Sequence, residues 1–412
     1  MKKLPTPTKH NVSVLHQLCK LIPAGLVGKL AVKYGVAAKC RTFSAWSHVV
    51  SLLYCQLTHA ISLNDVCDGL RHHAAKLKAV RGAAPPSRNG FSHANKNRNS
   101  QMMEALFWET LATLQNRFKK FGPAGRYPKL PRRFKRAIHA IDSTTITLVA
   151  NCMDWAKHRR RKAAAKMHLR LNLQTFLPGF AIIEKAAIHD SRRMGALCAA
   201  LQPGEIAIFD KAYLHFEHLF ELTSGGVNWV MRAKENMTCH VCRKRQRGKK
   251  GKILEDDEIT LKVPASRKQY PKRLRRIKAE VEEDGEIVVM VFLTNNLEWA
   301  ASSICDLYAS RWAIETFFKQ IKQTLQICDF LGYSKQAIEW QLWAALLLYV
   351  LLRFQQWISQ WTHSFTRLNA LIAGILWDRF DLIELLQHYG TAGSKWRMRS
   401  QPEALYLPGF AP

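Results

Sequence analysis

From Val12 to about Lys119 apolar residues return every three or four positions, as in Val14, Leu15, Leu18, Leu21 and Ile22. That spacing predicts a helical N-terminal domain over residues 1–120. Inside it, Ser62-Leu63-Asn64-Asp65 is expected to open a helix through Leu70, and Pro85-Pro86-Ser87-Arg88-Asn89-Gly90 to turn the chain. A second helix from about Ser92 carries His93, Asn95, Lys96, Asn97 and Arg98, an amide-rich and basic pattern that suits either a DNA-binding helix-turn-helix or a polar surface helix.

Between Phe121 and Arg136 the pattern breaks down into Gly, Pro, Lys and Arg, the mark of a linker. Short apolar runs follow. Ala137–Ile141, Leu169–Phe176, Ala181–Ile188, Glu205–Phe209 and Val227–Arg232 read as strands, with Leu177-Pro178-Gly179 as a hairpin turn and Arg192–Leu201 as a helix. These elements make a mixed α/β core over residues 121–236. Residues 237–285 interrupt it with basic runs (Arg243-Lys244-Arg245, Lys249-Lys250, Lys272–Arg276) around a strand at Ile259–Val263, and read as an inserted basic β-rich subdomain. The core resumes at the strand Ile287–Leu293, continues helically through residue 350, and is followed by C-terminal helices over residues 351–412.

Composition narrows the function. Lys and Arg number 62 against 31 Asp and Glu, a formal charge of +31, so a polyanion such as nucleic acid is the expected partner. The longest apolar run, Leu342–Leu352, is too short to span a membrane and reads as a buried helix. The opening Met1-Lys2-Lys3-Leu4-Pro5 leads into a polar stretch and not into the apolar core of a secretion signal, so a cytoplasmic location is expected. Most cysteines stand singly among apolar neighbours, as reduced core residues do. Cys239-His240-Val241-Cys242 has metal-like spacing, but no second close pair follows within fifty residues, and a solvated loop is the expectation.

The chemistry lies with the acids. Asp142 ends the run Ala137–Ile141 and Asp210 ends Ile206–Phe209, so each is expected at the end of a buried strand. Two such carboxylates side by side need a counter-charge, and a divalent cation supplies it. On a continuous helix from Tyr308 to Lys322, Tyr308, Arg311, Glu315, Lys319 and Lys322 would share an arc of roughly 80°. Without the two aspartates, ordinary ion pairs one turn apart on a wet helix are the favoured reading of that stripe.

The spacing Y-x2-R-x3-E-x6-K of Tyr308, Arg311, Glu315 and Lys322 resembles the signature of the insertion-sequence-four group of DDE transposases. Ala140-Ile141-Asp142-Ser143-Thr144 and Phe209-Asp210-Lys211-Ala212-Tyr213 resemble the first and second Asp motifs of that family, with Ala212 where glycine often stands. Lys166-Met167-His168, His189-Asp190-Ser191 and the Ser87–Arg98 segment extend the likeness over about residues 10–350. The resemblance implies an α/β fold with an RNase H-like catalytic core. In it Asp142, Asp210 and Glu315 would be catalytic and would hold two Mg2+, with Mn2+ able to substitute.

By the same resemblance Tyr308, Arg311, Lys319 and Lys322 would contact DNA beside the cleaved end, while Arg88, Asn95 and Arg98 would serve recognition of the terminal inverted repeats. The partner would be double-stranded DNA, both element ends and target, held by a homodimer in a synaptic complex. Relatives that form a hairpin intermediate stack a flipped base on an aromatic residue of the insertion. Between Trp229 and Trp299 this chain has no tryptophan, leaving Tyr270 and Phe292. An RNase H-like nuclease without strand transfer and a non-catalytic DNA-binding descendant are the alternatives.

Overall fold

The computed structural model describes residues 8–36, 42–122, 130, 133–148, 152–159, 162–234, 237–245, 252–283, 285–325 and 330–388. Most of the linker, Lys249-Lys250, and the expected C-terminal helix beyond residue 388 lie outside them. The chain divides into two units, one comprising residues 1–116, 324–326 and 340–412, the other residues 117–323 and 327–339.

The first unit is all-helical among the described residues, with seven helices between Val14 and Arg117, the Trp340-to-Ile358 part of the helix Lys335–Ile358, and the helices Phe365–Gly374 and Leu382–His388. Serine side chains at positions 13, 44, 62, 87 and 364 accept the third amide beyond them and so start their helices. Helix Ala45–Thr58 is buried almost all round, and some of its buried polar groups are answered internally: Ser51 Oγ–H donates to Ser47 O (2.7 Å) and His48 Nε2 pairs with Asn95 Oδ1 (2.8 Å). The expected helix after Ser62 runs Leu63–His72 under a capping box. The tight turn after it does not form, because a further helix, Ala74–Lys78, intervenes and the second helix begins at Arg88 on its Ser87 cap. The long helix Lys335–Ile358 is apolar enough to cross a membrane, but 89% of its most apolar window is buried within the protein.

The second unit is built on one sheet of ten strands. These are β1 (Ile138–Leu148), β2 (Lys157–Arg159), β3 (Lys162–Asn172), β4 (Leu177–Lys185), β5 (Ile206–Phe209), β6 (Asn228–Arg232), β7 (Cys239–Lys244), β8 (Ile253–Leu261), β9 (Leu274–Glu283) and β10 (Glu286–Thr294). Strands β4, β3 and β1 are antiparallel neighbours, and β5 and β6 follow parallel to β1. Parallel neighbours need crossovers. They are supplied by the helical turns Asp190–Cys198 and by the helix Phe216–Ser224. Three antiparallel strands continued by two parallel ones form the RNase H-like core. Its interior under β1, β5 and β6 contains Ile141, Phe209, Tyr213, Trp229 and Met231.

Two expectations are corrected. The β3–β4 turn is Leu173–Phe176, with Phe176 in the left-handed region (φ 57°) and Asn172 Oδ1 accepting the Gln174 and Thr175 amides. Leu177-Pro178-Gly179 therefore starts β4, an edge strand where the missing proline N–H is tolerated. The insertion is not a separate subdomain either. β10 pairs with both β6 and β9, so β9, β8 and β7 prolong the same sheet.

Candidate active site

β1 and β5 run in register, Ile138 beside Ile206 through Ile141 beside Phe209. Asp142 and Asp210 are therefore the next residues on two neighbouring parallel strands, just past the last pair. β1 does not stop at Asp142 as expected from its apolar run. It continues to Leu148, and the acid sits where four fully buried residues give way to a half-covered strand. Continuation is possible because β3 pairs with β1 along that whole length. Asp210 precedes the 3-10 turn Lys211–Tyr213 without using its side chain as a cap, so its carboxylate is not spent on local structure.

Glu315 arrives on the helix Trp312–Lys319 and is tied to Asp142 through one guanidinium. Arg311 donates to Asp142 Oδ2 (3.0 Å) and to Glu315 Oε1 (2.9 Å). The Ser143 amide donates to Asp142 Oδ1 (2.7 Å). Burial pushes the Asp142 carboxyl up to about 6, against the pull of Arg311 and the Ser143 amide, and the nearby Asp210 and Glu315 charges push the same way. Burial opposes the Arg311 charge, yet Tyr308, Asp142, Glu315 and Asp210 together hold its pKa above the usual arginine value. Three carboxylates thus lie in one another's field with a single arginine among them.

Such a set suits a hard divalent cation, which takes oxygen ligands and keeps several waters. Among the described residues no three acidic, His or Cys side chains are drawn tightly enough to enclose an ion, and the Arg311 guanidinium stands between two of the three acids. The three donors are carboxylate oxygens, the kind a hard divalent cation takes.

The Tyr308–Lys322 stretch is not one helix. Helix Ala301–Ala309 ends before Ser310, the helix Trp312–Lys319 follows, and Gln320–Thr324 forms a π-helical turn. Ser310 causes the break: its hydroxyl back-bonds to Asp306 O (2.9 Å), while its amide is shared between Asp306 O and Leu307 O. Tyr308, Arg311 and Glu315 stay in contact across the break, while Lys319 and Lys322 have other surroundings. Tyr308 is buried at 7% exposure, packed on Phe292 and under the Arg311 guanidinium, so it positions Arg311 instead of facing solvent. Lys319 is exposed. Lys322 donates from the π turn to Thr145 O on β1 (2.7 Å). Tyr270 and Phe292 are both 1% exposed, Tyr270 bonded to Thr223 Oγ1 and Phe292 against Tyr308, so neither is a free platform for a base.

In the helical unit Arg88 is exposed at the first turn of Arg88–Asn97. Asn95 faces inward instead, 3% exposed and bonded to His48, because the apolar face of its helix (Phe91, Ala94) packs inward and carries Asn95 with it. Arg98 is likewise engaged, donating to the Phe43 and Ser44 carbonyls and lying over the Phe43 ring. Cys239, His240 and Cys242 lie on strand β7 and not in the expected loop.

Residues 133–351 match the family model described as a transposase DDE domain, and residues 10–80 match one described as a domain of unknown function. A transposase-named protein of Sinorhizobium fredii is 30% identical over 74% of this chain and 83% of its own length. A Geobacillus stearothermophilus protein named for the transposase of insertion sequence element IS5377 is 28% identical over 58% of this chain and 60% of its own. Transposase InsG of element IS4 from Escherichia coli is 27% identical over 36% of this chain and 34% of its own. With the acids of its RNase H-like sheet inside the matched span, the chain belongs to the DDE transposase family and is a DNA transposase.

Proposed function

We propose that Asp142, Asp210 and Glu315 are the catalytic acids and hold two Mg2+, or Mn2+ in substitution, for cutting the ends of an insertion sequence and joining them to target DNA. The observation that carries this reading is the in-register pairing of β1 with β5, which puts Asp142 and Asp210 just past its last pair, while Arg311 ties Glu315 to Asp142. Bound there, the cations would activate the attacking oxygen and neutralise the leaving one in an in-line displacement at phosphorus.

The other residues act on the DNA. Arg311 holds Asp142 and Glu315 together in the DNA-free chain, and with those acids engaged on a cation it would be free to hold a phosphate beside the scissile bond. Tyr308 fixes where Arg311 pivots. Lys322 and Lys319 follow on the same segment as further phosphate contacts that position the end without reading its sequence. Exposed Arg88 is a candidate contact of the helical unit with the inverted repeats. Asn95 and Arg98 act through the packing of their helix. Two copies would be needed to hold two element ends together, acting on DNA in the cytoplasm.

The test is incubation of the protein with end fragments, a target plasmid and Mg2+. Joined end-to-target products are expected. Hydrolysis without joining would mark a nuclease, and no metal-dependent cutting would reduce the protein to a binder.

A further inference from the structure

Behind Asp142 lies a second set of charged groups. Ser143 faces the opposite side of β1 from Asp142. Its partner across the ladder is His168, and Lys166 stands opposite Thr145. Asp190 Oδ1 accepts from Ser143 Oγ–H (3.0 Å) and from Lys166 Nζ–H (3.0 Å), and lies 3.6 Å from His168 Nδ1. Glu184, opposite Lys166 on β4, stands 3.1 Å from His168 Nε2 and takes a two-pronged bond from Arg193. The Tyr213 hydroxyl lies 3.3 Å from His168 Nδ1.

This net is deep. His168 and Tyr213 are fully covered, and the Glu184, Lys166 and Asp190 side chains are 11%, 12% and 19% exposed. Its acids Asp190 and Glu184 balance the cations Lys166 and Arg193, and since apolar residues of similar volume often match or exceed the stability of buried ion pairs, such a net is weak evidence of a purely stabilising role. Its placement does. Ser143 donates its amide to Asp142 (2.7 Å), and Tyr213 lies three residues beyond Asp210 in the turn that Asp210 begins. The net thus joins the strand bearing Asp142 to the segment bearing Asp210.

We propose that Asp190 is a positioning residue which, through Ser143 and the His168–Tyr213 contact, sets the spacing of Asp142 and Asp210 and hence the affinity of the cation site. The inference rests on the proposed metal role of those two acids. Groups that orient metal ligands without touching the metal commonly cost 10–100-fold in metal affinity when changed.

The full-length protein serves for the test. Asp190→Asn keeps the shape and an acceptor for Ser143 but removes the charge that holds Lys166. Lys166→Met/Asp190→Asn removes both charges and leaves none unpaired. Mn2+ binding to the DNA-free protein by electron paramagnetic resonance, the Mg2+ concentration for half-maximal end cleavage, and the thermal midpoint would be measured for each. Asp190→Asn is expected to weaken Mn2+ binding about tenfold or more. The half-saturating Mg2+ should rise in parallel while end-DNA affinity holds, and the double variant should keep the metal defect with a recovered midpoint. Wild-type Mn2+ affinity in the double variant would overturn the positioning role. Asp142→Asn run alongside separates the two failures: if it alone loses Mn2+, only the Asp190 role falls, and if it too binds normally, the metal reading falls with it.

Discussion

Two acid-rich places in the sheet unit are answered in opposite ways. On β8 the consecutive Glu255, Asp256, Asp257 and Glu258 face a basic β9, with Glu258 opposite Arg275 and Asp257 opposite Arg276. Asp256 receives both prongs of Arg275 (2.7 Å each). Arg276 bridges Glu255 and Asp257, and Glu258 lies within reach of Arg243, Arg245 and Arg273. Bases outnumber acids. Where the β1–β5 pairing ends, Arg311 pairs with Asp142 and Glu315 in the field of Asp210, and the carboxyl of Asp142 is driven up to about 6. The first place is a closed ion-pair ladder that holds an inserted hairpin onto the sheet, and the second is left short of positive charge. Net positive charge alone therefore says little about where a cation or a phosphate is needed. Much of the insertion's arginine is already engaged within the protein.

The contrast should be widest in activity. Asp142→Asn, Asp210→Asn or Glu315→Gln is expected to lower Mg2+-dependent end cleavage by about a thousandfold or more, with DNA binding within about twofold. Any variant that still nicks at the wild-type rate has lost its place in the site. On the ladder the loss should appear in stability instead. Arg275→Ala leaves Asp256 buried and unpaired and should cost about 3–5 kcal/mol in urea unfolding, whereas Asp256→Leu/Arg275→Met should regain most of it. If both cost the same, the pair contributes more than mutual compensation.

A smaller effect separates the two places by pH. In the unfolded chain Asp142 ionises near its ordinary 3.8, and in the folded protein near 6. Its contribution to stability is therefore complete below about 4 and is lost as pH rises through 6. In the metal-free protein Asp142→Asn should accordingly raise stability at pH 8 by about 2–3 kcal/mol, with no gain at pH 4. Thermal midpoints across that range would show it, and a pH-independent difference would remove the burial argument. The smallest effect belongs to phosphate contacts. Arg311→Ala and Lys322→Ala should each flatten the salt dependence of end binding by about one unit per lost contact, measured as log affinity against log salt. An unaltered slope would leave both as internal groups only.

Several elements could be read directly along the chain. β5, β6 and β10 are compact apolar runs, and the helix after Ser62 announces itself through its capping box. Others could not. β9 alternates Ile277, Ala279 and Val281, but the arginines at its start make it look like a solvated basic stretch until β8 supplies acids across the ladder. The break at Ser310 depends on where one hydroxyl donates, so the spacing of Tyr308, Arg311, Glu315 and Lys322 does not reveal that Tyr308 is buried while Lys322 reaches β1. Asn95, polar and on a basic helix, reads as a contact residue, and only the packing against His48 makes it internal.

By itself the sequence determined which chemical groups exist and in what local setting: acids following apolar runs, an arginine four residues before a glutamate, an excess of positive charge, and helical periodicity up to about residue 119. Those properties depend on neighbours a few bonds or one turn away. Tertiary structure decided that Asp142 and Asp210 stand side by side, that one guanidinium serves two distant acids, and that the acids of β8 are satisfied. Each of these depends on strand register and burial. A carboxylate's pKa and its need for a counter-ion are set by whatever the fold brings within a few ångströms, and residues up to 173 positions apart in the chain become neighbours only once the sheet has formed.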